Sequence, residues 1–242
     1  MKVCIIIANY NHSQYLDESI QSARDQTHKD LEIVVVDDGS DDQPIVRKMV
    51  EAFMHLDDRI VYHELPENRG KWYALNYAIE KTGCTLITTL DADDICLADR
   101  IERQVRVFMT VPNTQHVLTG FYHCWSQEDI DRCWSKKINQ DPVLNIIEAD
   151  EVRQHVLTGL STPGINHFYT GPYETAGASA MFVRGLWDVG IRFNPPGTKT
   201  RVLLSEDSDF NFRATALVGR TVILNEKLYC YRRNTSTNKE EM

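Results

Sequence analysis

The sequence predicts an α/β fold, a mostly parallel sheet flanked by helices on both faces. Three observations predict it. Short apolar, β-branched runs stop abruptly at acidic or amide residues. Segments with apolar residues at helical spacing separate these runs. The connections are long enough for strand–helix–strand crossovers.

Residues 2–8, "KVCIIIA", are apolar without alternation, as a strand buried on both faces should be. In "NHSQYLDESIQSARDQ" (11–26), Leu16, Ile20 and Ala23 recur at helical spacing. "LEIVVVDDGS" (31–40) is a second buried strand that stops at Asp37-Asp38-Gly39. Pro44 stands where a helix begins, since its missing N–H is no loss in a first turn, and Ile45, Met49, Val50 and Phe53 form the apolar stripe that follows. "RIVYHEL" (59–65) is a third strand, "KWYALNYAIEK" (71–81) a helix with Leu75 and Ile79 on one face, and "CTLITTL" (84–90) a fourth strand. "LADRIERQVRVFMT" (97–110) is another helix and "QHVLTGFYHCW" (115–125) another strand. Residues 126–175 mix charges, aromatics, Pro and Gly and receive no assignment. "ASAMFVR" (178–184) reads as a strand, "SEDSDFNFRATAL" (205–217) as a helix and "TVILNEKLYCYRR" (221–233) as strand-like. Without repeats or Gly/Ser linkers, residues 1–242 are expected to form one domain, with an irregular region after residue 111.

Open parallel sheets bind ligands outside the carboxyl ends of their strands. Those ends are Asn9-Tyr10-Asn11, Asp37-Asp38-Gly39 and Asp91-Ala92-Asp93, and they should converge on one crevice.

Composition narrows the function. Lys+Arg 26 against Asp+Glu 35 gives 26 − 35 = −9, which argues against a nucleic-acid-binding role. No stretch approaches roughly 18 apolar residues, the length of a membrane span. Cys4, Cys84, Cys96, Cys124, Cys133 and Cys230 include no Cys-x-x-Cys pair and are read as reduced, buried thiols, neither a disulfide framework nor a zinc site. The expected location is the cytoplasm, or peripherally the cytoplasmic face of its membrane. The sequon at Asn234 is read as chance.

"TLDADD" places Asp91, Asp93 and Asp94 at a strand end. Carboxylates in Asp-x-Asp spacing can share a hard cation, Mg²⁺ or Mn²⁺, which takes its other ligands from water and substrate phosphates. A solvated acidic turn, with Asp94 capping the next helix, is the plainer alternative. Lys71 follows Asn68-Arg69-Gly70 at a helix start, where backbone N–H groups and a cation favour phosphate. A solvated surface lysine is the alternative there.

"IIIANYN", "EIVVVDDGSDD", "ENRGKWYALNYAI", "TLDADD", "GASAMFVR" and "SEDSDFNFRA", in this order and at these spacings, resemble the family 2 glycosyltransferases with the GT-A fold. The resemblance covers roughly residues 2–110 and 176–234. It implies a Rossmann-like sheet, a nucleotide-sugar donor and a carbohydrate or glycoconjugate acceptor. Residues 1–110 would bind the donor, and 111–242 would form the acceptor side. Ala8, Asn9, Tyr10, Asn11 and Asp38 would cradle base and ribose, and the Asp38 carboxylate suits the N3–H of uracil, hence UDP. Asn68, Gly70 and Lys71 would meet the diphosphate, beside Asp91, Ala92 and Asp93. Asp91 and Asp93 would hold the metal. Glu206-Asp207 matches the family's acidic pair, which supplies the general base of an inverting transfer, with Asp207 the first choice. Arg213, Arg232 and Arg233 would bind diphosphate or orient the acids, with ordinary salt bridges on a mixed surface as the alternative. Trp125, Trp134, His167, Phe168, Tyr169 and Tyr173, in the irregular middle, could stack on acceptor sugars, with ordinary structural aromatics as the commoner alternative.

Two departures stand out. Ala8-Asn9 replaces the family's usual Pro and small polar residue, and Asn234 stands where many relatives carry His, which argues against a third protein ligand. Two alternatives remain, an inactive nucleotide-sugar-binding module and a nucleotidyltransferase, although "ANYNHSQ" lacks the latter's Gly-rich basic loop. A haloacid-dehalogenase-like phosphatase would need Thr or Val at Ile95 and its motif on the first strand.

Overall fold

The structure is a computed structural model that describes residues 1–138, 143–148, 177–195, 206–217 and 219–233. Its elements are β1 (Val3–Asn9), α1 (Ser13–Arg24), β2 (Leu31–Asp37), α2 (Gln43–Met54), β3 (Ile60–Glu64), α3 (Lys71–Lys81), β4 (Leu86–Asp91) and β5 (Ile95–Cys96). They continue with α4 (Arg100–Thr110), β6 (Thr114–Cys124), α5 (Gln127–Trp134), β7 (Leu144–Glu148) and a 3-10 turn at Gly177–Ser179. The last are β8 (Met181–Val183), α6 (Arg184–Asp188), α7 (Glu206–Leu217) and β9 (Arg220–Arg232).

The strands form one sheet in the order β3-β2-β1-β4-β8-β6-β9-β5, with β7 also on β9. β1 to β4 are mutually parallel, and β8 runs antiparallel to both its neighbours. The alternation inside each apolar run explains the two-sided burial. Val3, Ile5 and Ile7 point into a core shared with Leu16 and Ile20 of α1, Val46 and Val50 of α2, and Ile101 and Val105 of α4. Cys4 and Ile6 point the other way, against Leu75 and Ile79 of α3, Leu186 of α6 and Phe210 of α7. The α/β, mostly parallel architecture is thus as the sequence predicts.

Parts of the chain after residue 111 differ from the reading. The unassigned stretch contains α5, started by a capping box between Ser126 and Asp129, and the strand β7. "ASAMFVR" is not one strand. It holds the 3-10 turn and the three-residue β8, and Arg184 already begins α6. His167, Phe168, Tyr169, Tyr173 and Asn234 lie outside the described residues.

Two buried polar side chains tie the sheet to the elements packed on it. The Arg100 guanidinium, fully buried, donates to Thr88 Oγ1 at 2.6 Å, Thr89 O at 3.1 Å and Ala178 O at 3.2 Å. His116 of β6 places Nε2 3.1 Å from Asn211 Oδ1 of α7 and Nδ1 3.3 Å from Thr221 Oγ1 of β9. Burial pushes the His116 imidazole down to about 4, so it is neutral in the folded chain near pH 7. The unfolded chain binds this proton near 6.5, so the stabilisation is complete above that pH and is lost as pH falls towards 4. Between pH 6.5 and 5 this group should cost the fold about 2 kcal/mol. Urea unfolding at both pH values should show a shallower loss in His116→Gln, and equal slopes would clear His116 of the effect.

Candidate active site

The register of the parallel strands sets Asn9 beside Asp37 and Ala8 beside Asp91, which aligns the three polar strand ends. Between them and α3 opens a cleft of about 370 Å³. Asp37 belongs to the turn. It accepts from Asn9 Nδ2 at 2.7 Å and from Ser40 Oγ at 2.6 Å, and Asn9 Nδ2 also reaches Ser40 Oγ at 3.2 Å. Gly39 (φ 69°) is required there, because a Cβ would lie 2.5 Å from the backbone carbon of Glu67. That close approach brings Asp38 to the loop before α3. Its carboxylate accepts the N–H groups of Arg69 at 3.0 Å and Gly70 at 2.8 Å. Burial raises its pKa, and these two hydrogen bonds oppose the rise.

Ala8, Asn9, Tyr10, Asp38, Asn68 and Gly70 all line the cleft, as does His12, which carries no motif of its own. Tyr10 is 40% exposed, and Asn9 Oδ1 is buried without a partner among the described residues. Asn11 is not part of the wall. It takes a left-handed conformation (φ 56°) and exchanges hydrogen bonds with Ser40 and Asp41, holding the turn.

The other end of the cleft is acidic, lined by Asp91, Ala92, Asp93, Glu206 and the side chain of Lys71. Lys71 is no solvated lysine. Its Nζ lies 2.7 Å from Asp91 Oδ1, 2.9 Å from Asp207 Oδ2 and 3.7 Å from Glu206 Oε1. Burial would lower the pKa of this ammonium, but the three carboxylates outweigh it and hold the value well above the usual lysine range. Asp207 lies at the buried start of α7, packed against Gly177, where a Cβ would come 2.7 Å from Asp207 Cβ. Burial raises its pKa to about 6; Asp91 and Glu206 add to the rise, and Lys71 opposes it.

The Asp91–Asp94 turn is fastened from the far end of the chain. Arg232 Nε donates to Asp93 O at 2.8 Å, and Arg232 N donates to Asp94 Oδ1 at 2.8 Å. The same guanidinium pairs with Glu18 and lies 4.6 Å from the Tyr15 ring centroid. Asp94 therefore anchors β9, and the cap reading is corrected: Asp99 stands at the N-cap of α4. Burial, then the charges of Asp93 and Asp91, raise its pKa well above the carboxylate range.

Arg213 and Arg233 are not brought to the cleft. Arg213 is held by Asp209, with Nη2–Oδ2 at 2.6 Å, one turn back on α7. Arg233 donates from Nε to His123 Nδ1 at 3.0 Å and packs 4.5 Å from the Tyr231 ring centroid. Gly177 and the clamping role of Arg232 escaped the sequence reading. Only the Gly of "GASAMFVR" hinted at the first, and nothing local could signal the second.

Residues 4–158 match the family model described as Glycosyl transferase family 2. An uncharacterized glycosyltransferase of Nostoc sp. is 36% identical over 110 residues, 46% of this chain and 34% of that relative. The match thus spans about a third of the relative's length. S. aureus TarS in complex with UDP-GlcNAc superposes with a TM-score of 0.69 at 19% identity, covering 100% of this chain and 61% of that one. The mannosyltransferase PcManGT of Pyrobaculum calidifontis, in complex with GDP-Man and Mn²⁺, does so at 0.62 and 20% identity, over 98% of this chain and 58% of that one. The fold is the GT-A type. The family model takes in well over half of the chain, and the chain belongs to glycosyl transferase family 2.

Proposed function

We propose that this family 2 glycosyltransferase moves a sugar from a nucleoside-diphosphate donor, with uridine as the nucleoside, to a hydroxyl of a carbohydrate or glycoconjugate acceptor, inverting the anomeric carbon. One observation carries the reading. Lys71 joins Asp91, at the expected diphosphate end of the cleft, to Asp207, the candidate base, through a single ammonium. Residues 1–110 would supply the donor site, and 111–242 the base and the acceptor side.

A divalent cation fits the acidic end. Three carboxylates share the Lys71 ammonium, leaving 3 − 1 = 2 negative charges, and Asp91 and Asp93 offer hard oxygen donors. These two would hold Mn²⁺ or Mg²⁺, whose charge would neutralise the leaving diphosphate. At the other end, the Asp38 carboxylate lines the cleft and would accept from a base that offers an N–H. Each Asp38 oxygen keeps a further lone pair beyond its backbone hydrogen bond. The Tyr10 ring, exposed in the cleft wall, would stack on that base. Asp207 takes the proton of the attacking hydroxyl, and Lys71 steadies the charge among the acids. Thiols throughout suit a reducing compartment such as the cytoplasm. Among the described residues no helix is long and apolar enough to cross a membrane.

The test pairs turnover with binding. With Mn²⁺, a panel of UDP-, GDP- and dTDP-sugars should show slow nucleotide release from the UDP-sugar and a matching thermal stabilisation. Stabilisation without release from any donor would leave a binding module. UDP should bind more tightly than CDP by about one to two decades, since CDP would leave a buried acceptor unpaired. Asp38→Ala should narrow that gap. Equal affinity in the wild type would remove Asp38 from the role.

A further inference from the structure

All six cysteines are buried, and three of them meet. Cys124 ends β6, Cys133 sits on α5 and Cys230 lies in β9. Their Sγ atoms all fall within 4.8 Å of one another, and those of Cys124 and Cys133 are 3.7 Å apart. Two sulfurs on a tetrahedral ion with metal–sulfur bonds of about 2.3 Å stand about 3.8 Å apart. The Cys124–Cys133 spacing is that of two ligands on one ion, and Cys230 Sγ lies near enough to join them. Ile95, Leu97 and Ile130 enclose it, and no histidine or carboxylate among the described residues joins it. An all-sulfur set selects a soft, thiophilic cation, unlike the oxygen donors of the cleft. Without a Cys-x-x-Cys pair the sequence pointed away from a zinc site. The pairing of β6 with β9 and the docking of α5 bring the three thiols together.

We propose that Cys124, Cys133 and Cys230 hold a zinc ion that pins α5 to the paired ends of β6 and β9. Binding exchanges three thiol protons for the metal and involves no redox change. Three thiolates on Zn²⁺ carry a net charge of 2 − 3 = −1. The Lys136 ammonium, 3.8 Å from the centroid of the Tyr122 ring that packs on the cluster, is the nearby counter-charge. Cys124 is the register partner of Arg232, so the ion braces the stretch of β9 from which Arg232 clamps the acidic turn.

The experiment uses the full chain, purified under reducing conditions, stripped with chelator and titrated with Co²⁺. Saturation of an ultraviolet thiolate-to-cobalt charge-transfer band at one equivalent, and its displacement by Zn²⁺, is the expected result. A cobalt ion on Asp91 and Asp93 has only oxygen ligands and gives no such band, so the band should persist in Asp93→Asn. It should fall markedly in Cys133→Ser. A folded wild type without the band overturns the proposal, as does an undiminished band in Cys133→Ser. So does a Cys124–Cys133 disulfide found by non-reducing peptide mapping of chain purified without added reductant. If Cys133→Ser does not fold, the wild-type titration and peptide map decide.

Discussion

Asp207→Asn should lower kcat by about 10²–10⁴-fold while the dissociation constant for UDP stays close to that of the wild type. An acceptor hydroxyl cannot displace a diphosphate efficiently unless its proton is taken on the face opposite the leaving group. A carboxylate does this without bonding to the sugar, and a single displacement inverts the anomeric carbon. Asn fills the same space and can still accept from Lys71 Nζ, but it cannot hold the proton. The loss should therefore appear in the transition state. A pKa of about 6 at Asp207 gives a sign to the pH dependence. The base works ionised, so kcat/KM, which follows the free enzyme, should be flat above that value and fall about tenfold per unit below it. Glu206→Gln should lose less, because Glu206 is the most distant of the three carboxylates around Lys71. A folded but dead Glu206→Gln beside an active Asp207→Asn would reverse the assignment. A product that keeps the donor's configuration would exclude a single displacement.

Asp93→Asn should abolish Mn²⁺-dependent donor binding, with a melting temperature close to wild type. Even outer partners of metal ligands are worth about 10–100-fold in affinity, so a direct ligand should cost at least the upper value. The turn would survive the change, because Arg232 holds it through the Asp93 carbonyl and the Asp94 carboxylate, neither of which the substitution touches. The measurement is the Mn²⁺ concentration at half-maximal donor binding. In the wild type, EDTA should remove activity and Mn²⁺ should restore it. Wild-type activity in Asp93→Asn, or in EDTA, would discard the metal role.

The parallel half of the fold was legible because its signal is local. Val3 to Ile7 and Ile33 to Val36 are apolar on both faces, as a doubly covered strand requires. The strand ends were legible for the same reason, and Ala8, Asn9, Tyr10, Asp38 and Lys71 do share one cleft with Asp91, Asp93 and Glu206. What escaped was long-range. Arg213 reads equally as a phosphate ligand or a salt-bridge partner until the fold gives it Asp209. Asp94 reads like a helix cap until β9 arrives beside it. Arg100, a charged residue in an amphipathic helix, gives no sign that Thr88, Thr89 and Ala178 will surround it. The strand β5, two residues long, leaves no periodicity to detect.

The reach of Arg232 has a consequence in time. It contacts Glu18, Asp93 and Asp94 across separations of 214, 139 and 138 residues. Loop-closure entropy grows only logarithmically, about 0.6 kcal/mol for each doubling of length, so the native state gives up little for such distant partners. Rates are less forgiving, because contacts between remote segments must wait for nearer ones to bring them together. β1 to β4 with their crossovers can assemble from neighbouring parts of the chain. The acidic turn at the end of β4 is fastened only when β9 docks. Asp91 thus ends a strand that should form early, while the turn beside it, which would hold a metal, should be among the last features to be fastened.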